Sequence, residues 1–366
     1  MMVGSFDGQS LRGGVPAAGS SLDRGVGARL GGGAVVRDDS TQASGTATDA
    51  GAHDPRPLWP FDVALARAFA AFTQASYCGP DQRLLSWTCE PCDDVGFQVV
   101  LGSVRFVEHS EFFEPKSTFI YAARVAKVGN RRAMPSLDHG GACMLAFRGT
   151  VTVTNWLRDV QVWARPLRFP WCEGCRVEAG FLTVLQRVLP RLLLALEDLG
   201  CLPEGRRSAG DNSTSSLFIT GHSLGAAVAT LAMCVLDEAG YQVRLSYNFE
   251  SPRVGNQAFA SVFSKVFSRQ IPVYRVTHWR DPVVHLPLRR MFLYSYVHVN
   301  DEVFFDRDGM WHLCPRQEDP HCAGRFRLLG TIFSEKQHCA SPLASQGSIC
   351  ECPIPALTSL PAAILL

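Results

Sequence analysis

The stretch Leu217–Met233, LFITGHSLGAAVATLAM, restricts the possible folds more than any other part of the chain. An apolar run, Leu217-Phe218-Ile219-Thr220, meets the turn Gly221-His222-Ser223-Leu224-Gly225 and leaves as the alanine-rich Ala226–Met233. Strand, sharp turn and helix is the setting in which a G-x-S-x-G serine is thrust out at the top of a sheet. Gly221 and Gly225 stand two residues either side of Ser223 because strand and helix nearly collide there, and a Cβ would clash. The geometry makes Ser223 Oγ a nucleophile. It also aims the Leu224 N–H, at the positive end of the helix, toward an oxyanion on the same reacting atom. The competing reading is a serine that only caps the helix.

A second oxyanion donor should come from a loop at a strand end. Phe147-Arg148-Gly149-Thr150 follows the strand-like Ala142–Phe147, and Thr150 is placed to donate. An ordinary β-turn competes with that reading. Thr154–Trp163 comes next, with Trp156, Leu157 and Val160 apolar on a short helix capped by Thr154. Such a helix beside a catalytic loop reads as a lid that opens onto lipid, against the alternative of a core helix.

An acid is needed past a later strand, where open α/β sheets place their sites. Val273–His278 reads as that strand and Asp281 follows it, 58 residues beyond Ser223 (281 − 223). That spacing admits one strand–helix–strand excursion and fits the chain order Ser, Asp, His. Asp-Pro turn formation is the bland alternative. The histidine that takes the serine proton must lie further on. His285 is on the same turn as Asp281, and His298 sits inside the strand-like Tyr294–Phe305. His312, His321 and His338 remain, and His338 leaves the most chain for a return to the turn.

The rest of the chain frames this site. Residues 1–56 are rich in Gly, Ala, Ser, Thr and Asp without periodicity and are expected to be disordered. Phe61–Ser76 has a helical apolar stripe. Phe97–Val100, Val104–Val107, Thr118–Val125 and Leu245–Phe249 read as strands, and Asn256–Phe267 reads as a helix. Gly180–Leu199 is a long helix with a kink or break expected at Pro190. A formal net charge of +1 gives no reason to expect nucleic acid or an anionic membrane as a partner. No apolar run is read as long as the roughly 18–20 residues of a membrane span.

Thirteen cysteines point to an oxidising compartment. Cys89-x-x-Cys92 and Cys172-x-x-Cys175 lie too far apart for a compact zinc ribbon, so they are disulfide candidates and no metal is expected. Cys143 and Cys234 read as buried free thiols. The sequon Asn212-Ser213-Thr214 fits a secretory route. Met1–Gly33 lacks the basic start and apolar run of a signal peptide, so either a leader is missing from this sequence or the protein is not secreted.

Several stretches together resemble the fungal-type (class 3) triacylglycerol lipases of the α/β-hydrolase superfamily. They are AFRGT at Ala146–Thr150, Asn155-Trp156, Gly180-Phe181, ITGHSLGAAVA at Ile219–Ala229, SPRVGNQAFA at Ser251–Ala260 and RVTHWRDPVVHLP at Arg275–Pro287. The resemblance implies an α/β-hydrolase fold over residues 57–340, with a mostly parallel central sheet flanked by helices and a short helical lid. It implies the nucleophile Ser223, the acid Asp281 and oxyanion donors Thr150 and Leu224. It also favours His338, about as far past the acid (338 − 281 = 57) as the acid is past the serine. Expected are an acyl-enzyme route, no cofactor, no stable partner, and a lipid ester substrate at a lipid–water interface. Phospholipase A1, a feruloyl-type esterase, or an inactive lipase-like binding protein are the alternatives. Three departures stand out: Glu178 and Glu250 replace a usual histidine and glycine at scaffold positions, and the flanks of His338 lack the usual aspartate and tyrosine. Residues 341–366 carry no pattern and read as a tail, either disordered or a mis-spliced translation.

Overall fold

The computed structural model describes residues 59–109, 118–126, 141–149, 164–167, 169, 171–208, 210, 212–291, 293–299, 302–314, 316–326 and 335–353. Thr150, Trp156, Leu157 and Val160 lie outside them, as does the whole 1–56 segment. In chain order the elements begin α1 (Val63–Ala75), α2 (Gln82–Leu85), β1 (Arg105–His109), β2 (Thr118–Val125) and β3 (Ala142–Phe147). A small hairpin, β4 (Ala164–Pro166) and β5 (Arg176–Glu178), leads into α3 (Ala179–Asp198). Then come β6 (Ser216–His222), α4 (Leu224–Glu238), β7 (Gln242–Phe249), α5 (Gln257–Phe263) and β8 (Val273–His278). A second hairpin, β9 (Arg290–Met291) and β10 (Tyr294–Ser295), precedes β11 (Glu302–Phe305), β12 (Trp311–Cys314) and α6 (Glu335–Cys339).

Eight strands form one sheet in the order β1-β2-β3-β6-β7-β8-β11-β12. Its middle, β3-β6-β7-β8-β11, is parallel, and antiparallel strands close both edges. The central strands are buried on both faces because helices cover both. On β6, Leu217 and Ile219 turn toward α3 and α4, while Phe218 turns toward α1. Phe69 and Phe72 of α1 are fully buried against Phe218, Phe97 and Tyr247. Each such ring contributes roughly 1.5–3 kcal/mol by leaving water. Asp62 starts α1 by accepting the N–H groups of Ala64 and Leu65 at 2.8 and 3.1 Å.

Several local expectations change. Phe97–Val100 is not a strand and contributes one bridge, Val99 to Val125. Tyr294–Phe305 is not continuous; it divides into β10 and β11. Asn256 is the N-cap of α5, which ends at Phe263 and passes into a π-turn through Ser268. Helix α3 runs through Pro190 without a break. Pro190 is on the exposed side, where water can take the carbonyl that loses its partner. By length and composition this helix could cross a membrane, contrary to the sequence reading, but half of its apolar window is buried in the core.

Six disulfides link Cys78–Cys352, Cys89–Cys92, Cys143–Cys201, Cys172–Cys175, Cys314–Cys322 and Cys339–Cys350. Cys234 alone is free and is buried in α4. The reading of Cys143 as a free thiol is therefore wrong. Helix α3 returns the chain so that Cys201 lands beside β3, a pairing 58 residues long that no local pattern announces. Residues 341–353 are also folded onto the domain. The Gln74 amide donates to the carbonyls of Ser345, Ser348 and Glu351 at 3.2, 2.8 and 3.1 Å, and Leu343 and Ile349 join the core beneath α1.

Candidate active site

The turn between β6 and α4 is as tight as its glycines imply. A Cβ on Gly225 would sit 2.3 Å from the Phe147 carbonyl oxygen and 2.6 Å from that of Arg148, both rigid backbone. On Gly221 it would meet Gly225 backbone at 2.8 Å. Ser223 takes φ 57° and ψ −130°, a conformation that costs a non-glycine residue about 1–3 kcal/mol. It occupies the N-cap position of α4, yet its side chain makes no capping hydrogen bond. The helix-cap explanation of this serine is thereby removed. As the first residue of α4, Leu224 has no carbonyl one turn back within the helix for its N–H.

The loop after β3 packs directly on the serine. A Cβ on Gly149 would lie 2.8 Å from Ser223 Cβ, so only glycine lets the loop come this close. Gly149 is the last described residue before Thr150. Its N–H donates to Tyr77 Oη at 3.2 Å.

His338 and Asp281 come together from elements 57 residues apart. Both are fully buried, and His338 Nδ1 lies 3.0 Å from each Asp281 carboxyl oxygen. Asp281 Oδ1 also accepts the Val283 N–H at 2.8 Å, which holds the carboxyl in place on the turn after β8. Burial alone would raise the Asp281 pKa, but His338, a hydrogen bond from Glu250 and the Val283 N–H together hold it below its usual value. With Nδ1 bound to the acid, His338 Nε2 is left buried and without a partner among the described residues. The other histidines past the acid go elsewhere. His298 Nε2 meets the Val284 carbonyl at 2.8 Å, His312 meets Asp306 and His321 meets Asp319.

His222 joins the turn to this pair. Its Nε2 is 3.0 Å from the His338 carbonyl oxygen, and the two rings stand 4.6 Å apart. A carbonyl only accepts, so His222 Nε2 carries the proton and Nδ1 must accept. Tyr77 Oη lies 2.6 Å from that Nδ1 and donates to it. The directions agree: Gly149 N–H to Tyr77, Tyr77 O–H to His222, His222 N–H to the His338 backbone. Burial first, and the charge of His338 second, lower the His222 pKa to about 3, so the ring is neutral and fixed in this tautomer. Burial raises the Tyr77 pKa far above its usual value and keeps its proton available. Neither Tyr77 nor this role of His222 was visible in the sequence, where the only sign is that His222 adjoins Ser223.

The two departures at scaffold positions are also buried. Glu178 caps α3 by accepting the Phe181 N–H at 2.8 Å. Glu250 follows β7 and its carboxyl contacts that of Asp281. Among the described residues no group of three His, Cys, Asp or Glu is arranged to hold a metal ion.

A largely parallel sheet with helices on both faces, and a serine at a strained strand–helix turn, give the chain the α/β-hydrolase fold. Residues 144–291 match the family model described as Lipase (class 3). The chain is 38% identical over 169 residues to secreted mono- and diacylglycerol lipase A of Penicillium cyclopium, covering 46% of this chain and 49% of that protein. It is 27% identical over 242 residues to a lipase of Rhizomucor miehei, covering 64% and 56%. Among solved structures, the Rhizomucor miehei lipase propeptide complex aligns with TM-score 0.55 at 21% identity, over 78% of this chain and 81% of that one. An MDLA mutant from Penicillium cyclopium aligns with TM-score 0.52 at 25% identity, over 76% and 93%. Over residues 144–291 the chain is similar to the class 3 lipases. It spans about half the length of the curated relatives it matches.

Proposed function

We propose that the protein is a serine carboxylic ester hydrolase that cleaves acylglycerols at a lipid–water interface, as a triacylglycerol lipase does. The observation that carries this is the 3.0 Å contact of His338 Nδ1 with Asp281, tied through His222 to the turn that bears Ser223. In this reading His338 Nε2 takes the Ser223 proton as Oγ adds to the ester carbonyl. The tetrahedral oxyanion is held by the Leu224 N–H and by Thr150. Its collapse expels the alcohol, which takes the proton from His338 and leaves an acyl-serine. Water, deprotonated by the same imidazole, releases the fatty acid and restores Ser223. Asp281 fixes the tautomer and stabilises the imidazolium without becoming protonated. Trp156, Leu157 and Val160 belong to the lid in this scheme. The domain does not end at residue 340, since residues 341–353 are held to it by Cys78–Cys352 and the Gln74 amide.

Secretion is part of the proposal. Six disulfides require an oxidising compartment, and the Penicillium and Fusarium relatives are named secreted lipases. The test is hydrolysis of emulsified tri-, di- and monoacylglycerols and of a soluble p-nitrophenyl ester by the full chain. Ser223→Ala and His338→Ala should each lower turnover by about 10⁴-fold or more. Wild-type activity in either, or a wild-type chain as inactive as Ser223→Ala, sinks the reading.

A further inference from the structure

Asp281 has a second carboxyl as its neighbour. Glu250 is anchored at the end of β7 by its N–H, which donates to the Val276 carbonyl at 2.9 Å. Its φ of 51° lies in the left-handed region that favours glycine. The chain nevertheless carries a long acidic side chain here and buries it, 2% exposed, with the carboxyl in hydrogen-bond contact with that of Asp281. Glu250 Oε2 has no donor among the described residues. Two carboxylates in contact in a dry site cannot both be ionised, so one proton lies between them. Asp281 already accepts from His338 Nδ1 and from the Val283 N–H, which favours its anion. Among the described residues, Glu250 accepts a hydrogen bond only from the His278 backbone. The proton therefore resides on Glu250.

We propose that Glu250 is a positioning residue of this active site, a neutral carboxylic acid that donates an O–H···O bond to Asp281 and fixes the carboxylate that orients His338. The proposal rests on the triad reading above. Among the described residues, the groups around Glu250 give its ionised form no compensating cation. The turn after β8 presents Asp281 and His278. From β11 comes Glu302, paired with Arg275 at 3.0 Å. His338 of α6 lies across Asp281, and His222 is neutral. Burial, then Asp281, then Glu302 push the Glu250 carboxyl well above the usual range. At alkaline pH Glu250 loses its proton. A second negative charge then presses on Asp281, the bond becomes a repulsion, and turnover falls while substrate binding is unchanged.

The experiment measures kcat and KM for p-nitrophenyl butyrate from about pH 5 to 10, with the Ser223→Ala protein as blank. Wild type should show an alkaline fall in kcat. Glu250→Gln keeps a neutral N–H donor, so it should hold turnover within about threefold at the optimum and remain active past the wild-type limb. Glu250→Ala lacks the donor and should lose about ten- to hundredfold in kcat with little change in KM. Glu250→Gly relieves the left-handed backbone and should match Glu250→Ala in turnover while melting no lower than wild type, which separates folding from positioning. An unchanged alkaline limb in Glu250→Gln, or wild-type kcat in Glu250→Ala or Glu250→Gly, overturns the proposal. If those results come with inactive Ser223→Ala and His338→Ala, the Glu250 role alone has failed. Activity in either of the latter two overturns the triad reading and this proposal with it.

Discussion

Replacing Glu178 by glutamine should make the protein more stable at neutral pH and leave it unchanged in acid. Glu178 ends β5 and caps α3 through Oε2, which accepts the Phe181 N–H at 2.8 Å. It is 1% exposed, and Oε1 is buried with no hydrogen-bond partner among the described residues. Burial outweighs the hydrogen bonds from Phe181 and Gly180 and lifts its pKa from 4.5 to about 7. The folded state thus holds this proton more tightly than the unfolded chain. Stability from the neutral acid is complete below the unfolded value, declines as pH rises from 4.5 toward about 7, and is gone above that. A shift of this size corresponds to about 3 kcal/mol. Glutamine keeps an oxygen for the cap and carries no charge to desolvate. For a domain of this size, the gain at pH 8 is about 5 °C in apparent melting temperature. Melting of both proteins with disulfides intact, at matched scan rates from pH 4 to 8, is the assay. A difference that does not grow with pH, or a variant that melts lower at pH 8, would show that the Glu178 carboxyl is not the buried acid described.

Two further perturbations probe the scaffold. Tyr77→Phe removes the donor to His222 Nδ1 and the acceptor of the Gly149 N–H, leaving buried groups unpaired at about 1–3 kcal/mol each. Steady-state kinetics on a soluble ester should show kcat down about tenfold with KM nearly constant, and an unchanged kcat would remove Tyr77 from the site. Cys352→Ser opens the Cys78–Cys352 link across 274 residues, whose loop-closure contribution is about 5 kcal/mol. Melting temperature and esterase activity should fall together, because the freed segment follows His338. Lower melting with full activity would show that His338 is held without that link.

The strand–turn–helix around Ser223 was legible because its constraint is local. Gly221 and Gly225 are required by collisions within five residues, and the two C-x-x-C pairs close within four. The strand ahead of Asp281 was legible for a similar reason, since its apolar run and the Asp-Pro turn are neighbours. Other features deceived for want of context. Pro190 suggested a broken helix, but the proline faces water, where the lost hydrogen bond costs little. Cys143 resembled a buried free thiol because its partner arrives after a 20-residue helix. Residues 341–353 looked patternless because disulfides and the Gln74 amide, rather than periodic apolar burial, hold them to α1.

What the sequence determined alone was the serine, its turn, the α/β class and the resemblance to class 3 lipases, all written in short-range sterics and ordered motifs. Only the tertiary structure decided which histidine faces Asp281, that His222 and Tyr77 link the site together, and that Glu178 and Glu250 are buried acids. The physical reason is that those properties depend on burial and on distances across the sheet. A carboxyl's charge state is set by what surrounds it, and in this chain those surroundings come from strands and turns far apart in sequence.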